Sequence, residues 1–498
     1  MKLNFEPFYQ NYLDTLFAYN LVLSTAYNDQ NTAAPKGGAL LANEAMAILQ
    51  GEAFKISNNP ETVEQIKEYE QRLPDGTLEK QEVGMRLDEI RDTEAIPAEF
   101  YTQANRDRLD AGTWWHKAKE QSDYSLFRPW LEKTVSNTLK SMTYSPRYEK
   151  GKEYDFMLDQ FEKGMDQKQY DAFFEVIKRD LPPLIEKVRA AGQIDDSRLA
   201  RPVSIDKQEA FNEYVLDVLK RNPEEVYMTT TEHPYTCFMS SSDVRINTHY
   251  YENRFLSAVL STVHEYGHAL FGLQIDPDFL KSSLYSAVGS AAHESQSRLL
   301  ENHIGRRRSF WKYLYPKLTE TVPEMADIPL DDLVDMINVS VPSLVRTEAD
   351  ELTYPLHILI RYEIEKMMAS GEIDYEQLPK IWADKYEEYL GVRPENDKEG
   401  VLQDMHWSDG YLGYFPTYAL GSAYAAQIFE AMEKQLDVDA LLEEGRFDAI
   451  RDWLRENVHR YGASKSMKEI VELVSGKPFD PSVYTGYLKD KYTKLYSL

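Results

Sequence analysis

The chain contains a single cysteine, Cys237, among its 498 residues. One cysteine excludes an intramolecular disulfide, so a zinc site in this chain must use histidine and carboxylate ligands. No apolar run approaches the roughly 18 residues of a transmembrane helix, and residues 1–6 lack the apolar core of a signal peptide. These absences predict a soluble, cytoplasmic protein that does not enter a membrane.

Basic residues are also scarce. The chain has 56 Lys and Arg against 83 Asp and Glu, which gives a formal net charge of −27. So acidic a protein is poorly suited to the phosphates of nucleic acids or to an anionic membrane, and neither is an expected partner. The one basic cluster, residues 306–308, is expected to lie at a helix end in solvent.

Strand-like sequence is limited to one region, at residues 235–251. Elsewhere apolar residues recur with helical spacing, and helices are predicted to end at glycines and at the proline pair 182–183. The clearest predicted helices span 154–163, 169–191, 345–368 and 424–435. Because no repeat or flexible linker interrupts this pattern, we predict one mostly α-helical domain over residues 1–498, with a small β-sheet beside the helix discussed next.

That helix, predicted from Phe255 to Leu273, carries the pattern His264-Glu265-x-x-His268. Residues i and i+4 lie on one face of a helix, so both imidazoles can reach one metal ion. Glu265 is then placed to act on a water activated by that metal. Two histidines at this spacing also decorate ordinary helices, so the pattern requires a third ligand elsewhere in the chain.

The third ligand does not follow closely on the same stretch, because Gln274 stands where a metzincin-type site has its third histidine. The next candidate lies in the helix-like segment 292–302, where Glu294 would complete a two-histidine, one-carboxylate set with a position left for water. Its neighbour His293 points about 100° away on a helix, so it is expected to hydrogen-bond around the site or to substrate. A polar helix face without metal is the alternative.

A zinc hydrolase built on this ligand set would also need hydrogen-bond donors for the oxyanion of the reaction intermediate and residues that bind the substrate. The segment 400–418 offers His406, Tyr411 and Tyr414 among glycines, although such a segment also suits a plain structural turn. An enzyme acting on C-termini needs an arginine for the terminal carboxylate. Arg346 and Arg245 are the candidates, and a structural ion pair is the alternative for each.

Six motifs in order make the chain resemble the carboxypeptidase Taq family of zinc metallocarboxypeptidases, and the similarity covers nearly the whole chain. In chain order they are His233-Pro234-Tyr235, Asp243-Val244-Arg245-Ile246-Asn247-Thr248, His264-Glu265-Tyr266-Gly267-His268, His293-Glu294-Ser295-Gln296-Ser297, Arg346-Thr347-Glu348-Ala349-Asp350-Glu351 and Gly400-Val401-Leu402-Gln403-Asp404-Met405-His406-Trp407. Tyr235 departs from the family phenylalanine and Asn247 from the usual threonine. These departures affect substrate preference and not the ligands or the base.

The resemblance implies a two-lobed helical fold around a deep groove, similar to neurolysin and angiotensin-converting enzyme, and a homodimer. It implies release of single C-terminal residues from peptides with broad specificity, proline being disfavoured. By position it implies that three residues bind zinc (His264, His268 and Glu294), for which cobalt or manganese can substitute.

The other implied roles belong to substrate. Glu265 corresponds to the general base and Arg346 to the receptor of the terminal carboxylate. His406 and Tyr414 resemble the groups that steady substrate and oxyanion, with Tyr411 as the alternative tyrosine. His233 and Arg245, which lie in the first two motifs, are further substrate-binding candidates. The rival functions are an endo-acting zinc oligopeptidase and a catalytically silent peptide-binding relative.

Overall fold

Helices dominate the computed structural model, which describes residues 3–231, 234–287 and 289–498. The helices before the sheet are α1 (Pro7–Thr32), α2 (Ala39–Ser57), α3 (Pro60–Arg72), α4 (Leu78–Thr93), α5 (Ala98–Gln121), α6 (Arg128–Met142), α7 (Glu153–Phe161), α8 (Gln167–Ala191) and α9 (Ile205–Val218). The strands are β1 (Val226–Thr230), β2 (Tyr235–Ser240) and β3 (Asp243–Thr248).

The helices after the sheet include those that carry the motifs. They are α10 (Phe255–Gln274), α11 (Ser290–Arg298), α12 (Arg308–Thr321), α13 (Leu330–Ile337), α14 (Tyr354–Ser370), α15 (Leu378–Leu390), α16 (Pro416–Glu433), α17 (Val438–Glu443), α18 (Phe447–Asn457), α19 (Met467–Ser475) and α20 (Pro481–Tyr496). A π-helix, Leu299–Gly305, continues α11. The prediction of a mostly helical fold with a small sheet is therefore confirmed.

The helix predicted over 424–435 begins earlier, at Pro416, and ends at Glu433. The helix predicted over 169–191 is confirmed as α8, although Pro182 and Pro183, which the sequence also marked as a stop, lie inside it. The helix survives their missing N–H groups because its apolar face is buried both before and after them, from Tyr170 to Val188. The helix predicted from residue 345 begins only at Tyr354, since Arg346–Glu348 form a short 3-10 helix that is followed by a loop.

The three strands form one sheet in the order β1-β3-β2, with β3 parallel to β1 and antiparallel to β2. β1 was missed by the sequence prediction because only Val226 of its five residues is buried, while the others, such as Tyr227, are partly or fully exposed and show no alternation. Val244 and Ile246 of β3 are buried in the core that also contains the apolar face of α10. Strand β2 lies at the sheet edge and also contacts α10.

Most buried side chains belong to one large apolar cluster that extends from α5 to α20. A separate, smaller cluster joins α1, α3 and α4 near Tyr9 and Tyr69. Among the described residues, no helix combines the length and apolar character needed to cross a bilayer. The organisation of residues 1–498 as one domain with two lobes stays a prediction.

Candidate active site

Helix α10, most of whose residues are buried, carries His264, Glu265 and His268. Its buried face runs through Phe255, Val259, Val263 and other residues spaced three or four apart, which explains both the helix and its orientation. The two histidines lie beside this apolar face, and their side chains keep 16% and 18% of their surface exposed. Their ring centroids are 5.0 Å apart, as expected one helical turn apart.

Helix α11 carries Glu294 and lies unusually close to α10. A Cβ atom on Gly267 would come within 2.6 Å of Gln296 O and Ser297 Cα, so only glycine permits this approach. On its other side, α11 contacts α16 at Gly421, where a Cβ would come within 2.8 Å of Glu294 Cβ. Two glycines thus let three helices converge on the Glu294 side chain.

The resulting arrangement fits a metal ion. Glu294 Oε2 lies 3.8 Å from His264 Nε2 and 3.7 Å from His268 Nε2. The ligand atoms of the three residues all lie within 4.8 Å of one another. Tetrahedral zinc with bonds of about 2.1 Å holds its ligand atoms about 3.4 Å apart, so small side-chain adjustments suffice. The structure thus brings together the three residues that the sequence predicts as metal ligands.

Two further residues, Glu301 and Arg298, surround these ligands, and the sequence analysis did not assign them. Glu301, on the π-helix, accepts a hydrogen bond from His264 Nδ1 at 2.8 Å. Because a carboxylate only accepts, Nδ1 carries the hydrogen and Nε2 is left free for a metal. Burial opposes the ionisation of Glu301, but Arg298 and the His264 bond outweigh it and hold its pKa below its usual range.

A signal for both residues existed in the sequence. Arg298 and Glu301 follow Glu294 by four and seven residues, which places all three on one face of a continuing helix.

His268 is supported differently, by a hydrogen bond to the backbone of His293. Burial, followed by the neighbouring His264 and His293, holds the pKa of His268 well below its ordinary value, so this imidazole is neutral as a metal ligand must be.

Glu265 faces the same site from α10 and is held by strand β2. Thr236 Oγ1 donates to Glu265 Oε2 at 2.6 Å and also lies 3.0 Å from the Glu265 carbonyl oxygen. Burial raises the pKa of Glu265, while His264 and the Thr236 bond oppose the shift. A carboxylate with a raised pKa accepts a proton more readily, which suits a general base.

A cavity of about 410 Å³ opens above these residues. Strand β2 contributes one part of its wall, including Thr236 and Phe238. Another part comes from Tyr414, which precedes α16, and from Thr417 and Tyr418 in the first turn of that helix. The rings of Tyr414 and Tyr418 pack edge to face, with their centroids 5.1 Å apart. Tyr418 therefore joins Tyr414 at the cavity, although the sequence analysis did not single it out.

His406 and Tyr411 lie close to Tyr414 but are not among the described residues that line the cavity. The His406 ring stacks on Tyr414 at 5.7 Å, and its Nε2 is 3.4 Å from Tyr418 Oη. Burial, followed by the nearby Arg346, lowers the pKa of His406 to about 4, so it is neutral near pH 7. Tyr411 is 46% exposed and packs on Phe161.

The loop that carries His406, Tyr411 and Tyr414 is anchored by Glu365 of α14. Its carboxylate accepts hydrogen bonds from Trp407 Nε1 at 2.8 Å and from Gly413 N at 2.9 Å. Gly413 has a φ of +90°, and a Cβ there would come within 2.8 Å of the backbone of Met157. The segment is thus a structural turn as well as the support of Tyr414, and the two interpretations of the sequence are compatible.

Arg346 is buried directly behind Tyr418. Its guanidinium carbon lies 5.1 Å from the Tyr418 ring, and its Nε and Nη2 donate to Asp404 Oδ1 at 3.1 and 2.9 Å. Asp404 also accepts from Arg361 Nε at 2.7 Å. Two arginines share one carboxylate, so the cluster keeps one net positive charge close to the cavity wall. Asp404 carried no prediction from the sequence.

The remaining candidates lie elsewhere. Arg245 pairs with Asp243 at 3.1 Å on the sheet and is not among the described residues that line the cavity. His293 lines the cavity, but its ring packs against Phe238 and Phe271 and it is not part of the metal-ligand group. His233 lies outside the described residues.

The basic cluster, residues 306–308, lies at a helix end as predicted, but the prediction of a solvated cluster is wrong for Arg306. Only 14% of its side chain is exposed, and it donates to Glu301 Oε1 at 3.2 Å. The buried carboxylate beside His264 draws this arginine inward, because an uncompensated buried charge is costly.

Comparisons with known proteins agree over the whole chain. The family model of carboxypeptidase Taq (M32) metallopeptidases matches residues 8–492. Carboxypeptidase 1 of Bacillus subtilis is 38% identical over 498 residues, which cover 99% of each protein. Thermostable carboxypeptidase 1 of Pyrococcus furiosus is 33% identical over 467 residues, 92% of each.

Solved structures show the same likeness. That of Pyrococcus furiosus carboxypeptidase has a TM-score of 0.94 and 32% identity, and covers 99% of this chain and 100% of that one. The M32 carboxypeptidase of Deinococcus radiodurans has a TM-score of 0.95 and 30% identity over the same shares.

Proposed function

The chain belongs to the carboxypeptidase Taq (M32) family of metallopeptidases and is a peptide hydrolase, and from this premise we propose that it is a zinc carboxypeptidase that releases single residues from the free C-terminus of peptides. One observation carries the proposal. A single cavity contains the side chains of His264, His268 and Glu294 together with Glu265, all within reach of one bound peptide.

Zinc is the metal we assign to His264, His268 and Glu294, because two imidazoles and one carboxylate are its usual catalytic ligand set. Cobalt and manganese are accepted substitutes for the same donors. Zinc, when bound, acidifies a coordinated water and polarises the scissile carbonyl. Glu265 takes the proton from the attacking water and passes it to the leaving amine, and the Thr236 bond keeps its carboxylate turned toward the cavity.

Tyr414 and Tyr418 are the donors that we assign to the oxyanion, with His406 behind them. Both tyrosines line the cavity, and a tyrosine hydroxyl is a donor suited to an oxyanion. His406 steadies this pair through its stacking on Tyr414 and its contact with Tyr418 Oη. Tyr411, which is exposed, is the weaker candidate for the same role.

Arg346 is the residue that we assign to the terminal carboxylate of the peptide. It shares Asp404 with Arg361, so one positive charge in this buried cluster has no counter-ion among the described residues. Its Nη1 makes only a 3.5 Å contact with Tyr354 Oη and has donors left for a carboxylate. A peptide bound this way presents its last peptide bond to the metal and Glu265.

Other features expected of the family remain proposals for this chain. They are broad specificity with proline disfavoured, a homodimer, a cytoplasmic location, a role of His233 and Arg245 in substrate binding, and a groove between two lobes of one domain. Release rates on short peptides that differ only in the last residue test the specificity. The mass measured by light scattering tests the dimer.

A pair of peptides tests the exopeptidase activity. One ends in a free carboxylate, the other is identical but C-terminally amidated, and products are followed by mass spectrometry. We expect single-residue release from the free acid and loss of most of the rate on the amide, because Arg346 then has no anion to bind. Equal cleavage of both, or cleavage at internal bonds, would identify an endo-acting oligopeptidase. No cleavage of either by the zinc-loaded protein would indicate a silent peptide-binding relative.

A further inference from the structure

Arg298, at the end of α11, contacts one metal-ligand residue, Glu294, and the carboxylate that supports another, Glu301. Its Nε donates to Glu294 Oε1 at 2.6 Å, and its Nη1 donates to Glu301 Oε2 at 3.1 Å. That same Glu301 oxygen accepts from His264 Nδ1 at 2.8 Å. The guanidinium lies over the Tyr354 ring at 4.2 Å, and only 16% of the side chain is exposed.

These contacts give the two carboxylate oxygens of Glu294 different roles. Oε1 is engaged by Arg298, whereas Oε2 is the oxygen that faces both imidazoles, at 3.7 and 3.8 Å. The second hydrogen bond of Arg298 holds Glu301, which in turn fixes the ring orientation and tautomer of His264. One planar guanidinium therefore orients two of the three ligand side chains, through two hydrogen bonds whose geometry a lysine cannot reproduce.

We propose that Arg298 is a positioning residue of the metal site, which orients Glu294 directly and His264 through Glu301 and so sets the affinity and the coordination geometry of the bound metal. The proposal rests on the assignment of His264, His268 and Glu294 as metal ligands. Arg298 does not touch the substrate, so its effect reaches catalysis only through the ligands.

An alternative role for Arg298 would be that of a counter-charge for two buried carboxylates. The two roles predict opposite results. A cation this close to a divalent metal repels it, so a neutral replacement strengthens metal binding if only charge matters. An ammonium in the same place keeps the charge and loses the two-branched geometry. Arg298→Lys and Arg298→Gln together therefore separate orientation from charge.

The matched control is Arg307→Lys. Arg307 also bridges two carboxylates, Asp439 at 2.6 Å and Glu433 at 2.7 Å, with a side chain that is 26% exposed. These carboxylates do not belong to the ligand network. The control thus measures what the loss of a bridging guanidinium does to the fold alone.

The experiment measures the zinc dissociation constant of each apoprotein by competition with a chromophoric chelator. The visible spectrum of the cobalt-substituted proteins reports coordination geometry independently of activity. Outer-shell partners change metal affinity by about 10–100-fold, and Arg298 supports two ligands. We expect Arg298→Lys to weaken zinc binding about 100-fold and to change the cobalt spectrum, with Arg307→Lys like the wild type in both.

Zinc affinity and a cobalt spectrum unchanged in Arg298→Lys, with tighter binding in Arg298→Gln, would reduce Arg298 to a counter-charge and overturn the proposal. Urea unfolding of the apoproteins provides the fold control. If Arg298→Lys does not fold, Arg298→Gln decides, because positioning predicts weaker binding there and charge alone predicts stronger binding. A wild-type protein that binds zinc but lacks carboxypeptidase activity would refute the proposed function and leave the role of Arg298 testable.

Discussion

Gly267→Ala is the perturbation that tests most directly how the metal site is built. Gly267 lies between Glu265 and His268 on α10, where its missing side chain lets α11 approach. An alanine Cβ would meet Gln296 O and Ser297 Cα at 2.6 Å, and both are backbone atoms that cannot rotate away. Since Cβ contacts below 3.0 Å are essentially not found, the helices must separate by about 0.4 Å (3.0 minus 2.6).

That separation acts on the ligands, because Glu294 lies on α11 only two residues from Gln296. Metal–ligand bond lengths vary by only about ±0.2 Å, so a 0.4 Å shift of one ligand against the other two must be taken up by rotation of the ligand side chains, at a cost in zinc affinity. Forcing a methyl group into a packed core costs about 1–3 kcal/mol. Replacing glycine by alanine within a helix returns about 0.5–1 kcal/mol. We therefore expect a net loss of up to about 2.5 kcal/mol in unfolding free energy and at least about tenfold weaker zinc binding.

Gly486→Ala is the matched control, since Gly486 lies inside helix α20 and a Cβ there would meet nothing within 4 Å. This variant should gain the helix propensity without the clash. Urea unfolding of the apoproteins gives the free energies, chelator competition gives the zinc affinities, and initial rates on a free-acid peptide give kcat/KM. If Gly267→Ala matches Gly486→Ala in stability and keeps wild-type zinc affinity, the close approach of α10 and α11 does not determine the site.

Three further substitutions test individual side chains. Glu265→Gln should lower kcat about 10²–10⁴-fold with zinc affinity unchanged, because it removes the general base and no ligand; an unchanged rate would reject this base. Arg346→Gln should raise KM for free-acid peptides about 10–100-fold, the value of a charge-assisted pair, and equal KM values would exclude Arg346 as the carboxylate receptor. Burial raises the pKa of Glu162 to about 7, above its value of about 4.3 in the unfolded chain. The stability that Glu162 contributes is therefore complete below about pH 4.3 and is lost as pH rises from there to about 7, by about 4 kcal/mol in all. Glu162→Gln should reduce the fall in unfolding free energy that urea titrations measure between pH 5 and 8. Identical pH profiles for the variant and the wild type would show that Glu162 is not its cause.

The ligand set was accessible from the sequence because its spacing reports helix geometry. His264 and His268 are one turn apart, and Glu294 follows on the next helix, so three residues could be named without coordinates. The family motifs predicted the same fold and chemistry, and the comparisons confirm the family over residues 8–492. In contrast, strand β1 was missed, since one buried residue followed by four partly or fully exposed ones gives no alternation.

Pairings between distant segments were decided only by the tertiary structure. Asp404 meets Arg346 across 58 residues, and Thr236 meets Glu265 across 29. No local pattern reports such contacts, because they depend on how helices and the sheet pack. The sequence likewise does not show that Tyr418 lines the cavity whereas His406 does not, because both belong to one short segment of the chain.

The sequence by itself determined the residue types, their helical spacing and the family, and hence the chemistry expected of this protein. Tertiary structure decided the distances at which that chemistry becomes possible. The physical reason is that a helix sets the spacing of its own residues, whereas the gap between two helices is set by the side chains at their contact. Here those contacts are Gly267 and Gly421, and Arg298 orients the ligands that they bring together.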